Sequence, residues 1–304
     1  MLRESAGLAI AVCSRNRRDD LIECVRSILI NPGDFELIVV DQSDVPAALE
    51  TVAEFAQDGR LRYIASTSRG LSRARNEALR ATQAELLAFT DDDCRVSGHW
   101  VEGIRALFAA EPDLVLAYGR VTVPEELWKI GFTASFEPAT EIRYKGRLPA
   151  PLEPWGIGAN MALHRQTALN LGGFDACLGA GTPLHGGEEL DLTMRALGDG
   201  HTVGCTNVFE VTHLGVRPHA IASAQYRNYA VGAGAAYAKN IRLGTPGVCA
   251  LFSRTLLLQL GTALSTAAAG RRPRGLGLML ATLGGAVKTL RLKVNRHARS
   301  FESP

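Results

Sequence analysis

Three carboxylates in a row, Asp91, Asp92 and Asp93, follow the apolar run at residues 86–89. Adjacent like charges repel one another, and only Arg95 stands near enough in sequence to offset them. A hard divalent cation, Mg²⁺ or Mn²⁺, would do so, because these ions take oxygen ligands and usually share them with substrate phosphates. The plain alternative is an acidic turn leading into a helix cap at Ser97. A second acidic group, Glu188, Glu189 and Asp191, follows a glycine-laden loop at residues 179–187. On the first turn of a helix each acid gains about 0.3–1 kcal/mol from the macrodipole, which is ordinary helix decoration. A flexible loop feeding three acids is more than a cap requires, so one of them is a candidate general base toward an acceptor hydroxyl. His213 ends a later apolar run. A lone histidine is usually structural, but imidazole tolerates Mn²⁺ beside carboxylates and becomes a ligand candidate wherever the fold brings it to Asp93.

The elements that must position these groups follow from periodicity. Residues 8–13, 36–41, 61–65 and 86–89 read as buried strands, the first and second being continuous apolar runs. Between them, residues 19–29, 49–55 and 71–81 carry helical spacing, and Gly70 opens the last of these, with Arg75 and Asn76 in its first turns. That β-α-β-α-β-α-β alternation is the signature of a parallel sheet covered on both faces. In such sheets the ligand crevice lies beyond the carboxyl ends of the strands, where Asp41 and the aspartate triplet fall. Asp41 is thus a candidate contact for a nucleotide base or ribose, and equally a turn-former in its own loop. Neither GxGxxG nor GxxxxGK[ST] is present, so a bound nucleotide must be held by strand-end side chains.

Further along, residues 100–110 read as a helix and residues up to 121 as a strand. Residues 122–155 are rich in Pro, Glu and aromatics and read as an irregular excursion or lid. Residues 155–163 read as a glycine-rich strand, where glycine marks close approach of a ligand or backbone. Residues 203–205 and 208–212 read as two further strands.

Composition bounds the class. A 304-residue chain with 46% hydrophobic and 21% charged residues can bury a large core. The net charge of +2 conceals an asymmetry. From Lys239 onward there are eleven Lys and Arg against one acid, Glu302, so the first part is acidic and the tail strongly basic. The six cysteines form no CxxC pair or metal-ligand spacing, and no signal peptide precedes them, which predicts free thiols in the cytoplasm. In the tail, Thr255, Gln259, Thr262 and Thr266 mark one helical face while Phe252, Leu256, Leu260 and Leu264 mark another. Apolar faces beside Lys/Arg clusters suit the surface of an anionic membrane, where each basic residue adds ~1 kcal/mol. Residues 248–299 are therefore expected to touch the inner face of a membrane, or else to pack on the catalytic domain or a second subunit. Nucleic acid is not an expected partner, because interleaved aromatics are absent.

Taken together, the segments 13–17, 37–41, 70–76, 89–93, 158–161, 172–175 and 187–192 resemble the family 2 glycosyltransferases in content and order. The resemblance spans about residues 7–240. It implies a GT-A fold, that is, a Rossmann-like, mostly parallel sheet flanked by helices, here with a C-terminal helical extension at residues 241–304. The nucleotide-binding half would be residues 7–121 and the acceptor half residues 155–215. The implied reaction is inverting transfer from a nucleotide-activated sugar to a glycan or lipid-linked acceptor, with Mn²⁺ or Mg²⁺ on the diphosphate. Carried over by position, Asp41 resembles the donor-base contact, Asp91 the ribose or metal contact, and Asp93 the metal ligand of the DxD motif. Ser14 and Arg75, inside two of the shared motifs, are further donor-binding candidates. His213 matches a metal-binding histidine. Glu189 falls where the family places an aspartate base. Glutamate is one methylene longer, so Glu188 or Asp191 remains open as the base. No QxxRW motif is present, which implies transfer of a single sugar rather than polymerisation. Three rival readings are a sugar-1-phosphate nucleotidyltransferase, a catalytically inactive protein that keeps the fold as a binding or scaffold module, and a phosphohydrolase. The last is disfavoured by the missing Asp-x-Asp-Gly-Thr continuation.

Overall fold

The computed structural model describes residues 7–44, 54–55, 57–151, 153, 155–273 and 275–302. The helix expected at residues 49–55 falls almost wholly outside them. Strand β1 (Leu8–Ser14) leads through α1 (Arg18–Leu29) to β2 (Glu36–Asp41), then β3 (Leu61–Ala65), α2 (Leu71–Ala81) and β4 (Leu86–Asp91). A short β5 (Cys94–Val96), α3 (Trp100–Ala110) and β6 (Leu114–Thr122) follow. Next come α4 (Glu125–Ile130), β7 (Ile142–Lys145), β8 (Asn160–His164), α5 (Arg165–Asn170), α6 (Glu188–Gly198) and β9 (Thr202–His213). Three long helices close the chain, α7 (His219–Leu243), α8 (Val248–Ala268) and α9 (Leu276–Lys288), before a two-stranded ribbon of β10 (Val294–Asn295) and β11 (Ser300–Phe301).

The main sheet runs β3-β2-β1-β4-β8-β6-β9-β5, with β7 also on β9. Its first four strands are parallel, as the alternation predicts. Beyond β4 the pairing is mixed: β8 is antiparallel to both β4 and β6, whereas β6 and β9 are parallel. Continuous apolar strands arise because both faces are covered. On β1, Leu8, Ile10 and Val12 pack with Leu21, Val25 and Ile28 of α1, and the alternate residues Ala9 and Ala11 pack with Ala74, Ala78 and Leu79 of α2.

Three expectations are revised. Residues 203–212 form one strand rather than two, because β9 carries a register shift against β6 between Tyr118 and Arg120. Residues 155–159 precede β8 rather than belong to it. The excursion at 122–155 contains α4 and β7, and backbone bridges pin Phe136 to Val121 and Phe132 to Arg217.

The C-terminal helices share a third core with the sheet domain. Met194 of α6 packs in one cluster with Ala235 and Tyr237 of α7, Val248 and Leu251 of α8, and Phe301 of β11. The division expected near residue 240 thus falls inside α7. Helix α9 lies so close across α7 that a side chain at Gly285 would strike the Val231 carbonyl. Gly285→Leu is therefore expected to lower stability by about 1–3 kcal/mol through overpacking. Gly277→Ala, which meets open space on the same helix, should leave the thermal unfolding midpoint unchanged or slightly raised.

Candidate active site

The carboxyl ends of β1, β2 and β4 open onto a cleft of about 680 Å³. Asp91, Asp92 and Asp93 line one side, Glu188 and Glu189 the other, and His213, Arg17, Arg75 and Ser14 complete it. The two acidic groups, ninety-odd residues apart in sequence, face one space.

Arg75 links them. It rises from the buried face of α2 and is itself buried. Its Nη1 lies 3.1 Å from Glu188 Oε1 and its Nη2 lies 3.7 Å from Asp91 Oδ1. Nη2 also donates to the Gly158 carbonyl at 3.2 Å, and the guanidinium sits over the rings of Phe89 and Phe174 at 5.8 and 5.5 Å. A Cβ at Gly158 would lie 2.5 Å from Arg75 Nη2, so any side chain there would displace the guanidinium. The close approach marked by that glycine is thus made by a protein cation.

The aspartates differ in environment. Asp91 keeps 35% of its side chain exposed to the cleft. Asp92 accepts from Ser14 Oγ at 2.7 Å and Arg17 Nη1 at 3.1 Å, yet burial wins and pushes its carboxyl up to about 6. For Asp93, burial also works upward, but His213 and Arg17 outweigh it and hold the carboxyl at about 2. His213 Nε2 lies 3.1 Å from Asp93 Oδ1, and its Nδ1 faces the Ala134 carbonyl at 2.9 Å and Thr133 Oγ1 at 3.0 Å. A carbonyl only accepts, so Nδ1 carries a hydrogen and Nε2 is the atom aimed at the cleft. Burial works against the charged imidazole, but the hydrogen bond and charge of Asp93 outweigh it and raise the histidine above its ordinary value.

The donors suit a divalent ion. Atoms of Asp93, His213 and Cys94 lie within 4.8 Å of one another. Burial pushes the Cys94 thiol well above its ordinary range, and a hard ion prefers the oxygen and nitrogen donors beside it. Carboxylate oxygens with one imidazole form a set that suits Mn²⁺.

On the opposite wall Gly187, in the left-handed conformation, starts α6 and turns Glu188 and Glu189 into the cleft. Burial, and then the neighbouring Glu189, push Glu188 up to about 8 against the pull of Arg75. Oε2 of Glu188 and Oε2 of Glu189 are both buried without a hydrogen-bond partner among the described residues. Two partnerless carboxylate oxygens in a cleft are unusual, since buried polar atoms are nearly always satisfied.

Two sequence candidates stand elsewhere. Asp191 is fully buried behind the cleft, where Arg195 Nη2, Lys239 Nζ and Asn240 Nδ2 donate to it at 2.6, 2.7 and 2.8 Å. Burial opposes its ionisation, but Arg195 and Lys239 more than offset this and hold the carboxyl low. Asp191 is therefore a fixed counter-ion, with no hydroxyl within reach to deprotonate. Lys239, itself buried, also binds Asp175 at 2.9 Å, tying α6 to α7. Asp41 accepts from Tyr63 and Ser43 and does not line the cleft, where Gln42 stands instead. Sequence reasoning gave no individual role to Arg17, Arg195 or Lys239, and read Asp92 only as one of the triplet. Only Arg195 left a signal, four residues after Asp191 on one helix.

A family model described as glycosyl transferase family 2 matches residues 9–169, more than half of the chain. Among solved structures, the chain is similar to the mannosyltransferase PcManGT from Pyrobaculum calidifontis, determined in complex with GDP-Man and Mn²⁺. The TM-score is 0.61 at 16% identity, covering 95% of this chain and 88% of that one. It is also similar to GalNAc-T7 with UDP, GalNAc and Mn²⁺, at a TM-score of 0.55 and 15% identity. That match covers 78% of this chain, which spans about half (51%) of the length of GalNAc-T7. These likenesses establish the GT-A fold, and the family match establishes the class of enzyme: the chain belongs to glycosyl transferase family 2.

Proposed function

We propose that the chain transfers a single sugar from a nucleoside-diphosphate sugar to an acceptor hydroxyl, with inversion at the anomeric carbon. One observation carries this reading: Arg75 holds Asp91 and Glu188 against the same guanidinium, so metal-ligand candidates and a free carboxylate oxygen face each other across one cleft.

Asp91, Asp93 and His213 would hold the metal, Mn²⁺ rather than Mg²⁺ given the imidazole. A divalent ion supplies charge neutralisation on the leaving diphosphate. Asp93 is suited to this by its low pKa, and Asp92, pinned by Ser14 and Arg17, steadies the loop beside it. Arg17 and Arg217 add positive charge to the same side of the cleft.

Glu189 is assigned as the base. Its Oε2 lacks a partner, and Glu188 beside it favours the protonated form near neutral pH, which reduces repulsion between them. Glu189 takes the proton of the acceptor O–H as that oxygen bonds to the anomeric carbon. The bond from that carbon to the diphosphate oxygen breaks, and the nucleoside diphosphate leaves with the electron pair. Attack from the side opposite the leaving group inverts the configuration. Trp155, Phe132 and Tyr229 also line the cleft and would offer faces for a sugar ring. The acceptor is a glycan or lipid-linked hydroxyl.

Glu189→Gln should lower kcat by about 10²–10⁴-fold while calorimetry still detects donor binding with Mn²⁺. Asp93→Asn should instead abolish Mn²⁺-dependent donor binding. A fully active Glu189→Gln variant would remove that residue from the chemistry, and release of pyrophosphate rather than nucleoside diphosphate would replace transfer with nucleotidyl transfer.

A pH effect follows from Glu188. Its folded value of about 8 exceeds the ordinary 4.5, so between those limits the folded state binds more protons than the unfolded one. Its stabilising contribution is complete below the ordinary value and is lost as pH rises through the folded one. Glu188→Gln should flatten that decline in denaturant-measured stability, and an unchanged slope would show that Glu188 is ionised throughout.

A further inference from the structure

Helix α8 turns a mixed face to the protein, where Val248, Leu251 and Ala263 are buried and Phe252 packs in the third core, and exposes leucines to solvent. Thr255 lines the cleft, and Gln259 Nε2 donates to Thr282 Oγ1 of α9 at 3.2 Å. On the other side Leu257 and Leu264 are 66% and 62% exposed. Helix α9 continues the pattern, with Leu280 and Val287 at 58% and 62%. A helix docked on a water-soluble core turns polar residues outward instead. An apolar stripe shared by two adjacent helices marks an interaction surface rather than scattered surface leucines.

The stripe is framed by cations. Arg254 stands near one end, Arg271 and Arg272 at the turn between the helices, and Lys288 and Arg291 at the other end, all exposed. No acidic residue occurs between Lys239 and Glu302. Among the described residues none of these five cations forms an ion pair with an acidic group.

We propose that the outward face of α8 and α9 docks on the surface of an anionic phospholipid bilayer. A second copy of the chain fits this face less well. A two-fold contact would bring the same basic residues of both copies together, with no acid in the segment to offset them. A bilayer takes the leucines at the acyl boundary and the cations at its phosphates. The helices lie in the plane of the membrane. Helix α8 is long and apolar enough to cross, but its inner face is packed on α7 and α9. Its neighbour α9, with 13 residues, reaches only about 20 Å, short of the ~30 Å hydrocarbon core. Because Thr255 and Leu257 lie on opposite sides of α8, the cleft opens about one helix diameter, ~10 Å, from the lipid surface. The docking face is argued from burial and charge alone, so it stands or falls independently of the reaction proposed above.

The test is co-sedimentation of the full chain with phosphatidylcholine vesicles, with and without phosphatidylglycerol, at low and high salt. The chain is expected to pellet with phosphatidylglycerol vesicles and to be released by salt. Leu257→Glu combined with Leu264→Glu should lower partitioning roughly tenfold or more while the melting temperature holds. Arg271→Ser with Arg272→Ser should weaken binding only where phosphatidylglycerol is present. As a check independent of those variants, Leu264→Trp should gain a fluorescence signal quenched by brominated lipid. A chain that stays in the supernatant at low salt would overturn the proposal. So would a wild-type dimer, seen by light scattering, that the two glutamates convert to monomer without changing vesicle binding.

Discussion

A single buried guanidinium sets the architecture of the cleft. Removing Arg75 from water is unfavourable unless its charge and its donors are met. Its donors are met by Glu188 Oε1 and the Gly158 carbonyl, and its charge by Asp91 and the ring faces of Phe89 and Phe174. Arginine suits this place because its planar fork serves several acceptors while stacking on aromatics, which an ammonium cannot do. These partners come from separate parts of the chain, so the end of β4, the loop before β8 and the start of α6 are held at one spacing. Without Arg75, Glu188 Oε1 and the Gly158 carbonyl would lose their donor and Asp91 the buried cation beside it.

A second buried charge cluster supports the first from behind. Lys239 joins Asp191 to Asp175, and Asp175 in turn accepts from the Phe301 amide at 2.8 Å. The helix carrying Glu188 and Glu189 is thereby anchored to α7 and to the terminal ribbon. Breaking one member of such a cluster typically costs about 3–5 kcal/mol, because its partners stay buried and unpaired. The C-terminal helices are thus part of how the site is held, while their outer faces are free for another task.

Much of this was legible in the residues. Strand ends, the glycine that opens α2 and the acids opening α6 follow from periodicity and helix-end chemistry, and they locate Asp91, Asp93 and Glu189 correctly on their elements. What could not be read were roles that depend on partners distant in sequence. Glu189 and Asp191 are both acids on the first turn of one helix, and Lys239, 48 residues after Asp191, makes Asp191 a structural counter-ion. Asp41 sits at a strand end as expected, yet Tyr63 on the adjacent strand takes up its carboxylate. The periodicity of α8 gave two faces but not which one turns inward. The inner face is mixed: Val248, Leu251 and Ala263 are buried there beside Gln259, which donates to Thr282 on the next helix.

The central claim is that both acidic groups serve one substrate in one cleft. The most direct measurement is the anomalous-scattering map of a crystal grown with Mn²⁺ and a nucleoside diphosphate. The account predicts one Mn²⁺ peak bounded by Asp91, Asp93 and His213, with the terminal phosphate on the Arg75 side of the cleft, facing Glu189. A metal held by other residues, or a diphosphate lying away from α6, would contradict it.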